Sequence, residues 1–334
     1  MVTFVHNVNH GFKAVQLYHS NMKTSACLLM VLSLTTSAPL HAQNVPQASP
    51  PIERLRTNIE QIAKSVDTNW GIYIKCLDTN EEVSFNADKV MDTMSVIKVP
   101  LMVEAFRQIE AGKFSLQDRY TLKEVDKRPG TGVIRSMDAG AVLTMKDLLT
   151  LMTIVSDNTA TDVIFEKVGG PEPVNQLMRS YGLNTIRATG NADVWFKALA
   201  AAPSAAEFHN EGKTPFGLSS PRDMGRLLEK IALGEAVSQS ASRQITQIMN
   251  GQIYRTRIPK YVGGFQTPHK TGDMVPFIAN DVGLLINDKH RIVVSIFTEK
   301  HNLSAGSPTN LIGNYIEDGI ARIAEQVADY FGYN

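Results

Sequence analysis

A serine and a lysine three residues apart are the first side chains in this sequence whose types and spacing could do chemistry. Ser95 and Lys98 lie at the start of an apolar run that is typical of a helix. Side chains at i and i+3 share one helix face, so the lysine amine can reach the serine hydroxyl. A serine needs a base to become a nucleophile, and lysine serves as one when burial or a neighbouring cation lowers its pKa. The pair predicts nucleophilic catalysis.

This spacing carries little information alone, because S-x-x-K occurs about once by chance in a chain this long. A second copy is present at Ser20 and Lys23. Two triplets downstream select the copy at Ser95: residues 156–158 (Ser-Asp-Asn) and residues 270–272 (Lys-Thr-Gly). Each triplet has a chance expectation of roughly one in twenty, and each has a plain alternative as a helix cap or a strand end. Their joint occurrence in this order favours a catalytic site.

Hydrophobic periodicity predicts the elements that must position these motifs. Helices are predicted over 52–65 and 310–331 and repeatedly between 95 and 251, and strands are predicted over 71–77, 82–85, 264–272, 279–286 and 291–297. Strands thus occur at both ends of the chain and helices in the middle. We predict an α/β (α+β) fold with an antiparallel sheet built from both chain ends, flanking helices and an inserted all-helical subdomain.

The chain begins with a pattern typical of an export signal. A positive start at Met22 and Lys23 precedes an apolar core over 26–34, and cleavage is expected after Ala42. That core is far shorter than the ~20 residues that span a bilayer, so we expect no stable membrane insertion. Translation begins at Met1 or at Met22, and the protein is predicted to be exported, either periplasmic or secreted.

The predicted domain organisation follows from these patterns. It comprises a leader and signal peptide over 1–42, a Pro/Ser/Gln-rich tether over 43–51 and one catalytic domain over 52–334, with a sheet subdomain (52–93 and 255–334) and a helical subdomain (94–254). Removal of the leader leaves Cys76 as the remaining cysteine, which excludes an intramolecular disulfide. We expect a monomer.

The composition narrows the class of partner. A chain of 334 residues that is 43% hydrophobic can bury a sizeable core. Lys+Arg and Asp+Glu both number 33, so no basic excess points to a nucleic-acid partner.

The three motifs together resemble those of the serine penicillin-recognising enzymes, and within them the class A β-lactamases. The resemblance extends over about residues 52–331 and includes Thr159-Ala160 after the second motif and a long C-terminal helix. It implies a β-lactamase/transpeptidase-like fold whose active site lies between the sheet and the helical part. It also implies a small-molecule β-lactam substrate, with antibiotic degradation as the outcome.

The resemblance implies a catalytic role for four side chains. Ser95 would attack the lactam carbonyl, and Lys98 would accept or relay its proton. Ser156 would pass a proton to the leaving nitrogen. Lys270 would set the electrostatics of the cleft and help to keep Lys98 neutral.

Four further residues are implied in substrate binding. Asn158 would bind the substrate side-chain amide, and Thr271 beside Gly272 would bind the substrate carboxylate. The backbone N–H of Asp273 would form an oxyanion hole with that of Ser95, which is typically worth several kcal/mol of barrier. No metal and no cofactor is expected, because four of the eight histidines fall in the leader.

Two features of the family pattern have no clear counterpart in this sequence. Class A enzymes activate the deacylating water with a glutamate four residues before an asparagine, and no E-x-x-x-N occurs between residues 187 and 221. Asp193 and Glu207 are the candidate deacylation acids, with Glu211 a later one, and a surface charge is the alternative for each.

The second gap is the arginine expected after Lys-Thr-Gly to bind the substrate carboxylate. Arg255 and Arg257 are candidates for compensation, and solvation is the alternative. The leading hypothesis is a serine β-lactamase acting through an acyl-enzyme on Ser95. The alternatives are a D-Ala-D-Ala peptidase or esterase, or a penicillin-binding module with slow deacylation.

Overall fold

The computed structural model describes residues 51–210, 216–300 and 309–332. The predicted leader and signal peptide, and nearly all of the predicted tether, lie outside the described residues. In chain order the elements are α1 Pro51–Ser65, β1 Asn69–Cys76, β2 Glu82–Phe85, β3 Met91–Asp92, a 3-10 helix Met94–Ile97, α2 Lys98–Glu110, β4 Arg119–Thr121, 3-10 helices Glu124–Asp126 and Ile134–Ser136, β5 Val142–Thr144, α3 Met145–Ile154, α4 Asn158–Val168, α5 Pro171–Ser180, β6 Arg187–Ala188, α6 Ala192–Ala201, α7 Ala205–Asn210, β7 Gly217–Ser219, α8 Pro221–Leu233, α9 Gln239–Asn250, β8 His269–Met274, β9 Ile278–Ile286, β10 Arg291–Glu299 and α10 Thr309–Gly332.

A five-stranded antiparallel sheet joins the two ends of the domain, in the order β2-β1-β10-β9-β8. Side chains alternate between its faces. Ile72 and Ile74 of β1 pack with Leu55 of α1 and Ile320 of α10, whereas Tyr73 belongs to the core on the opposite face. The prediction of an α+β fold with an antiparallel sheet built from both chain ends and flanked by helices is confirmed.

The helices between β2 and β8 begin and end at recognisable signals. Thr144 and Asp147 form the predicted capping box of α3, and Ser220 caps α8 with Pro221 at its first position. Gly169 ends α4 with a φ of 93°, a left-handed conformation that glycine adopts without steric cost. These helices surround a core that continues onto one face of the sheet.

Two local predictions are corrected. The strand predicted over 264–272 begins only at His269, because the preceding residues make one isolated bridge, from Gln266 to Ile286, and the Lys-Thr-Gly triplet lies inside the strand. Ser95 lies in a 3-10 helix that leads into α2, rather than in the α-helix itself. Among the described helices, none is both long and apolar enough to cross a membrane.

Candidate active site

Ser95 lies on a strained turn between β3 and α2. Met94 has a φ of 45°, which is rare for a residue with a side chain and costs on the order of 1–3 kcal/mol. The turn is held by the carboxylate of Asp92, which accepts the Met94 N–H at 2.9 Å, and by the Asn280 amide, which donates to the Asp92 carbonyl at 2.8 Å. These contacts fix the backbone that presents Ser95, which is half-buried, to a cavity.

Strand β8 packs directly against this turn, and Gly272 makes the approach possible. A Cβ atom at Gly272 would lie 2.4 Å from the carbonyl oxygen of Thr93 and 3.1 Å from the backbone nitrogen of Val96. Backbone atoms cannot yield to such contacts as a flexible side chain can. The glycine of the Lys-Thr-Gly triplet is therefore required for the close approach of the strand to the Ser95 turn.

The Lys98 amine is buried, with 1% of the residue exposed. It donates to the Ser156 carbonyl at 2.7 Å, and hydrogen bonds of 3.0 Å join it to the Ser156 hydroxyl and to Asn158 Oδ1. Burial, followed by the nearby charge of Lys270, holds the pKa of Lys98 well below its ordinary value. The predicted base thus has a lowered proton affinity. Within the described residues it makes no direct hydrogen bond to the Ser95 hydroxyl.

The Ser156 hydroxyl connects two lysine amines. Lys270 Nζ lies 3.0 Å from Ser156 Oγ and donates to the Thr271 carbonyl at 2.8 Å. Burial lowers the pKa of Lys270 to about 8, against the opposing effect of Asp273. A hydroxyl can accept a hydrogen bond from one amine and donate to the other if that amine is neutral. The arrangement can therefore relay a proton between Lys98 and Ser156.

The segment over residues 129–134 secures the Ser-Asp-Asn triplet, a role that the three motifs did not predict. The Asp157 carboxylate accepts the N–H groups of Val133 and Ile134 at 2.7 and 2.9 Å. Thr131 Oγ1 donates to the Ser156 carbonyl at 2.7 Å. A Cβ at Gly132 would lie 2.2 Å from Asp157 Oδ2, so only glycine fits there. The two glycines flanking Thr131 were the available signal for such a close approach.

The cavity in front of Ser95 has a volume of about 380 Å³, which suits a small molecule. Ser95, Ser156, Asn158, Thr271 and Asp273 line it, whereas Lys98 and Lys270 lie behind Ser156. One wall is apolar and comes largely from α6: Ala192, Trp195, Phe196 and Leu199, with Phe216 beside them.

Two of the predicted substrate-binding side chains, Thr271 and Asn158, differ in whether their polar atoms are free to bind a ligand. Thr271 is 2% exposed, and its hydroxyl has no hydrogen-bond partner, so this wall of the cavity offers a polar atom that a ligand could satisfy. Asn158 already uses both ends of its amide, since Nδ2 donates to the Pro129 carbonyl at 3.0 Å and Oδ1 accepts from Lys98.

The cavity also has a charged wall. Arg257 is buried, and its Nη2 donates to Asp273 and, at 2.7 Å, to Glu317 of α10, while Nη1 donates to the Asn280 carbonyl at 2.8 Å. Arg257 is therefore not solvated but paired. Glu317, near the far end of the chain, had no sequence signal that linked it to the site.

The structure brings neither candidate deacylation acid to the cavity. Asp193, in the first turn of α6, accepts a hydrogen bond from Lys197 at 2.6 Å, which holds the pKa of this carboxyl below its ordinary value. Glu207 is exposed on α7. Neither residue lines the cavity. Glu211 lies outside the described residues.

The start of α6 is fixed by Asp162, which no sequence motif indicated. Asp162 accepts the backbone N–H groups of Ala192 and Asp193 at 2.7 and 3.0 Å and a hydrogen bond from Arg128 at 2.7 Å. This buried carboxylate sets the rotation of α6, and therefore which of its residues face Ser95.

The site described so far contains no set of side chains typical of a metal centre. Elsewhere among the described residues, Cys76, Asp78 and His290 bring their ligand atoms within 4.8 Å of one another. The Asp78 carboxylate, however, is bound by the backbone and guanidinium of Arg291 at 2.6 and 2.8 Å.

A half-buried serine on a strained turn, followed by a buried lysine with a lowered pKa, defines a serine hydrolase site. The model of the Beta-lactamase enzyme family matches residues 54–331, and the chain belongs to this family.

Individual relatives are distant in sequence but similar in fold. A β-lactamase of Rhodobacter capsulatus is 24% identical over 228 residues, which cover 68% of this chain and 73% of the relative. The crystal structure of a β-lactamase from Sphaerobacter thermophilus is 26% identical with a TM-score of 0.70, covering 85% of this chain and 98% of that one. The structure of PBP-A, at 24% identity and a TM-score of 0.70 over 84% and 97% of the two chains, shares the fold.

Proposed function

We propose that the protein is a class A-like serine β-lactamase that opens the β-lactam ring through an acyl-enzyme on Ser95. The observation that carries this proposal is the hydrogen-bonded chain from Lys98 through the Ser156 hydroxyl to Lys270. A buried amine with a lowered pKa is a suitable base for a serine hydroxyl at neutral pH.

Acylation transfers one proton, in net terms, from the Ser95 hydroxyl to the leaving nitrogen of the lactam. The Ser95 hydroxyl loses its proton to Lys98, and its oxygen bonds to the lactam carbonyl carbon. The carbonyl–nitrogen bond then breaks, and Ser156 gives its proton to the leaving nitrogen while taking one from Lys98 across the 3.0 Å contact. The backbone N–H groups of Ser95 and Asp273 are the proposed donors to the oxyanion.

Deacylation is the step at which a second candidate function is favoured. The wall that α6 contributes to the cavity is apolar, and the acids Asp193 and Glu207 do not line it. The carboxylates that do line the cavity, Asp273 and Glu317, both accept hydrogen bonds from Arg257. Without a free carboxylate to activate water, hydrolysis of the ester typically slows by about 10²–10⁴-fold. The second candidate is therefore a penicillin-binding protein with slow deacylation, or a peptidase or esterase on the same fold. A mutant of PBP-A has been solved as its acyl-enzyme complex with penicillin G.

Intact-protein mass spectrometry after exposure to penicillin G tests the proposal. We expect one covalent adduct on Ser95, its absence in Ser95→Ala, and its retention in the matched surface variant Ser65→Ala, because Ser65 is exposed at the end of α1. An adduct that survives Ser95→Ala would refute the assignment of the nucleophile.

The time course of nitrocefin hydrolysis separates the two candidates. Continuous turnover supports the β-lactamase, whereas a single burst with a stoichiometric amplitude supports the slow-deacylating alternative.

A further inference from the structure

The charged wall of the cavity, formed by Arg257, Asp273 and Glu317, is balanced before any substrate arrives. The arginine faces two carboxylates, and both are within hydrogen-bond reach of its Nη2. Lys270, whose pKa is about 8, adds one positive charge at neutral pH behind Thr271. The two cations on this side of the cavity are therefore offset by two anions.

Arg257 has no free pair of N–H groups with which to bind a ligand carboxylate in a bidentate manner. An arginine holds a carboxylate with two parallel N–H groups, either Nη1 with Nη2 or Nε with Nη2, so Nη2 takes part in both. The two hydrogens of Nη2 are directed to Asp273 and Glu317. A substrate carboxylate would have to displace one of these acids from a guanidinium that is only 3% exposed.

Asp273 also lies on the same side of β8 as Thr271, because side chains two residues apart share one face of a strand. The separation of such residues is about 7 Å along the strand. An anion on the unpartnered Thr271 hydroxyl would thus lie near the Asp273 carboxylate, which is 37% exposed and lines the same cavity. Two like charges at this separation beside a buried wall repel each other.

We propose that Asp273, supported by Glu317, is a specificity-determining residue that selects against a carboxylate beside the scissile bond. The favoured substrates are acyl donors that are uncharged at this position, such as esters or amides of the corresponding acids. A repulsive group in the site gives selectivity as effectively as an attractive one. This inference rests on the proposed function, since it concerns the compounds that acylate Ser95.

A matched pair of compounds measures the effect. Penicillin G and its methyl ester differ by one negative charge, and their second-order rate constants of acylation are obtained from the time course of adduct mass. We expect the wild type to react with the acid no faster than with the ester. Asp273→Asn should raise the acid-to-ester ratio about tenfold. Glu317→Gln should raise it less, because the Glu317 side chain is 23% exposed and that of Asp273 is 37% exposed.

The control is Asp318→Asn, which removes the same charge from the next residue of α10, where the carboxylate binds Lys260 at 2.8 Å outside the cavity. The acid-to-ester ratio of the acylation rate constants of Asp318→Asn should stay within about twofold of the wild-type ratio. A wild type that reacts tenfold faster with the acid, or an unchanged ratio in Asp273→Asn, would overturn the inference.

Equilibrium binding of the same two compounds to Ser95→Ala, measured by calorimetry, separates this inference from the proposed function. If neither compound acylates the wild type, the proposed function fails, and the binding ratio still decides the inference. The inference survives if the ester binds to Ser95→Ala at least as tightly as the acid does, and if adding Asp273→Asn to Ser95→Ala shifts the preference toward the acid. Tighter binding of the acid to Ser95→Ala, or no binding of either compound, overturns it.

Discussion

Two buried amines share the Ser156 hydroxyl, and the charge of one lowers the proton affinity of the other. Burial is the largest cause of the lowered pKa of Lys98, and the charge of Lys270 is the next. Lys270 itself has a pKa of about 8. If acylation requires Lys98 neutral and Lys270 charged, the rate rises as Lys98 loses its proton and falls as pH passes about 8.

Lys270→Met should change both limbs of this pH profile. Without the neighbouring charge the pKa of Lys98 rises, so the acidic limb moves to higher pH, and the alkaline limb near pH 8 disappears. The measurement is the second-order rate constant of acylation by penicillin G between about pH 5 and pH 10. Lys64→Met, at a lysine whose side chain is 71% exposed, is the control and should leave the profile unchanged. An alkaline limb that persists at pH 8 in Lys270→Met would contradict the assignment.

At the scale of elements, the site depends on how strand β8 and the 3-10 helix of Ser95 meet. The contact is made between backbones, since Gly272 faces the Thr93 carbonyl and the Val96 nitrogen. The Asn280 amide of β9 adds a hydrogen bond to the Asp92 carbonyl from the neighbouring strand. The sheet thus positions both the nucleophile and the proposed oxyanion donors.

Gly272→Ala should separate these two elements. Its Cβ would meet backbone oxygen at 2.4 Å, so the strand or the turn must shift. We expect acylation to slow by about a hundredfold, because a displacement of the order of 1 Å has such a cost. The free energy of unfolding should fall by about 1–3 kcal/mol, as measured by denaturant titration.

Gly263→Ala is the matched control for this substitution. A Cβ at Gly263 meets nothing within 4 Å, and its φ is not in the left-handed range, so rate and stability should both be retained. Equal acylation rates in Gly272→Ala and the wild type would show that the close approach is not needed.

Sequence patterns predicted the positions of the helices and strands better than they predicted which side chains line the cavity. The order of the three motifs was sufficient to predict that Ser95, Ser156 and Lys270 would lie in one site. Each motif contains both a reactive or polar side chain and residues that shape the local backbone. The orientation of α6 depends on Asp162, 30 residues earlier in the chain, which accepts the Ala192 N–H. No local pattern contains that contact, so the apolar wall could not be predicted.

The pairing of Arg257 illustrates the same limit at longer range. Its partners Asp273 and Glu317 lie 16 and 60 residues away in the chain, on a strand and on the last helix. A charged side chain near a motif could be a ligand, a partner or a solvated group. Tertiary packing decides between these alternatives, and tertiary contacts cannot be derived from composition or from the spacing of motifs.

At the scale of the whole molecule, two cores lie on opposite faces of the sheet, and a buried acid lies where the sheet meets the helical side. Asp92 is 5% exposed, ends β3 and accepts the Met94 N–H. Burial raises its pKa to about 7, against the opposing effect of that N–H. The native protein therefore holds a proton on Asp92 that the unfolded chain, with an ordinary pKa near ~4, releases at lower pH.

The resulting prediction concerns the pH dependence of global stability. A carboxyl whose pKa is higher in the native state contributes its stability at low pH and loses it as pH rises from about 4 to about 7. Asn at this position keeps an oxygen that can accept the Met94 N–H, but it carries no charge at any pH. Asp92→Asn should therefore gain in unfolding free energy relative to the wild type between pH 4 and pH 8, by at most about 4 kcal/mol.

Urea titrations at several pH values measure this difference, with Asp288→Asn, at an exposed turn, as the control for the loss of one carboxylate. A difference between Asp92→Asn and the wild type that stays constant over this range would show that Asp92 does not take up a proton on folding.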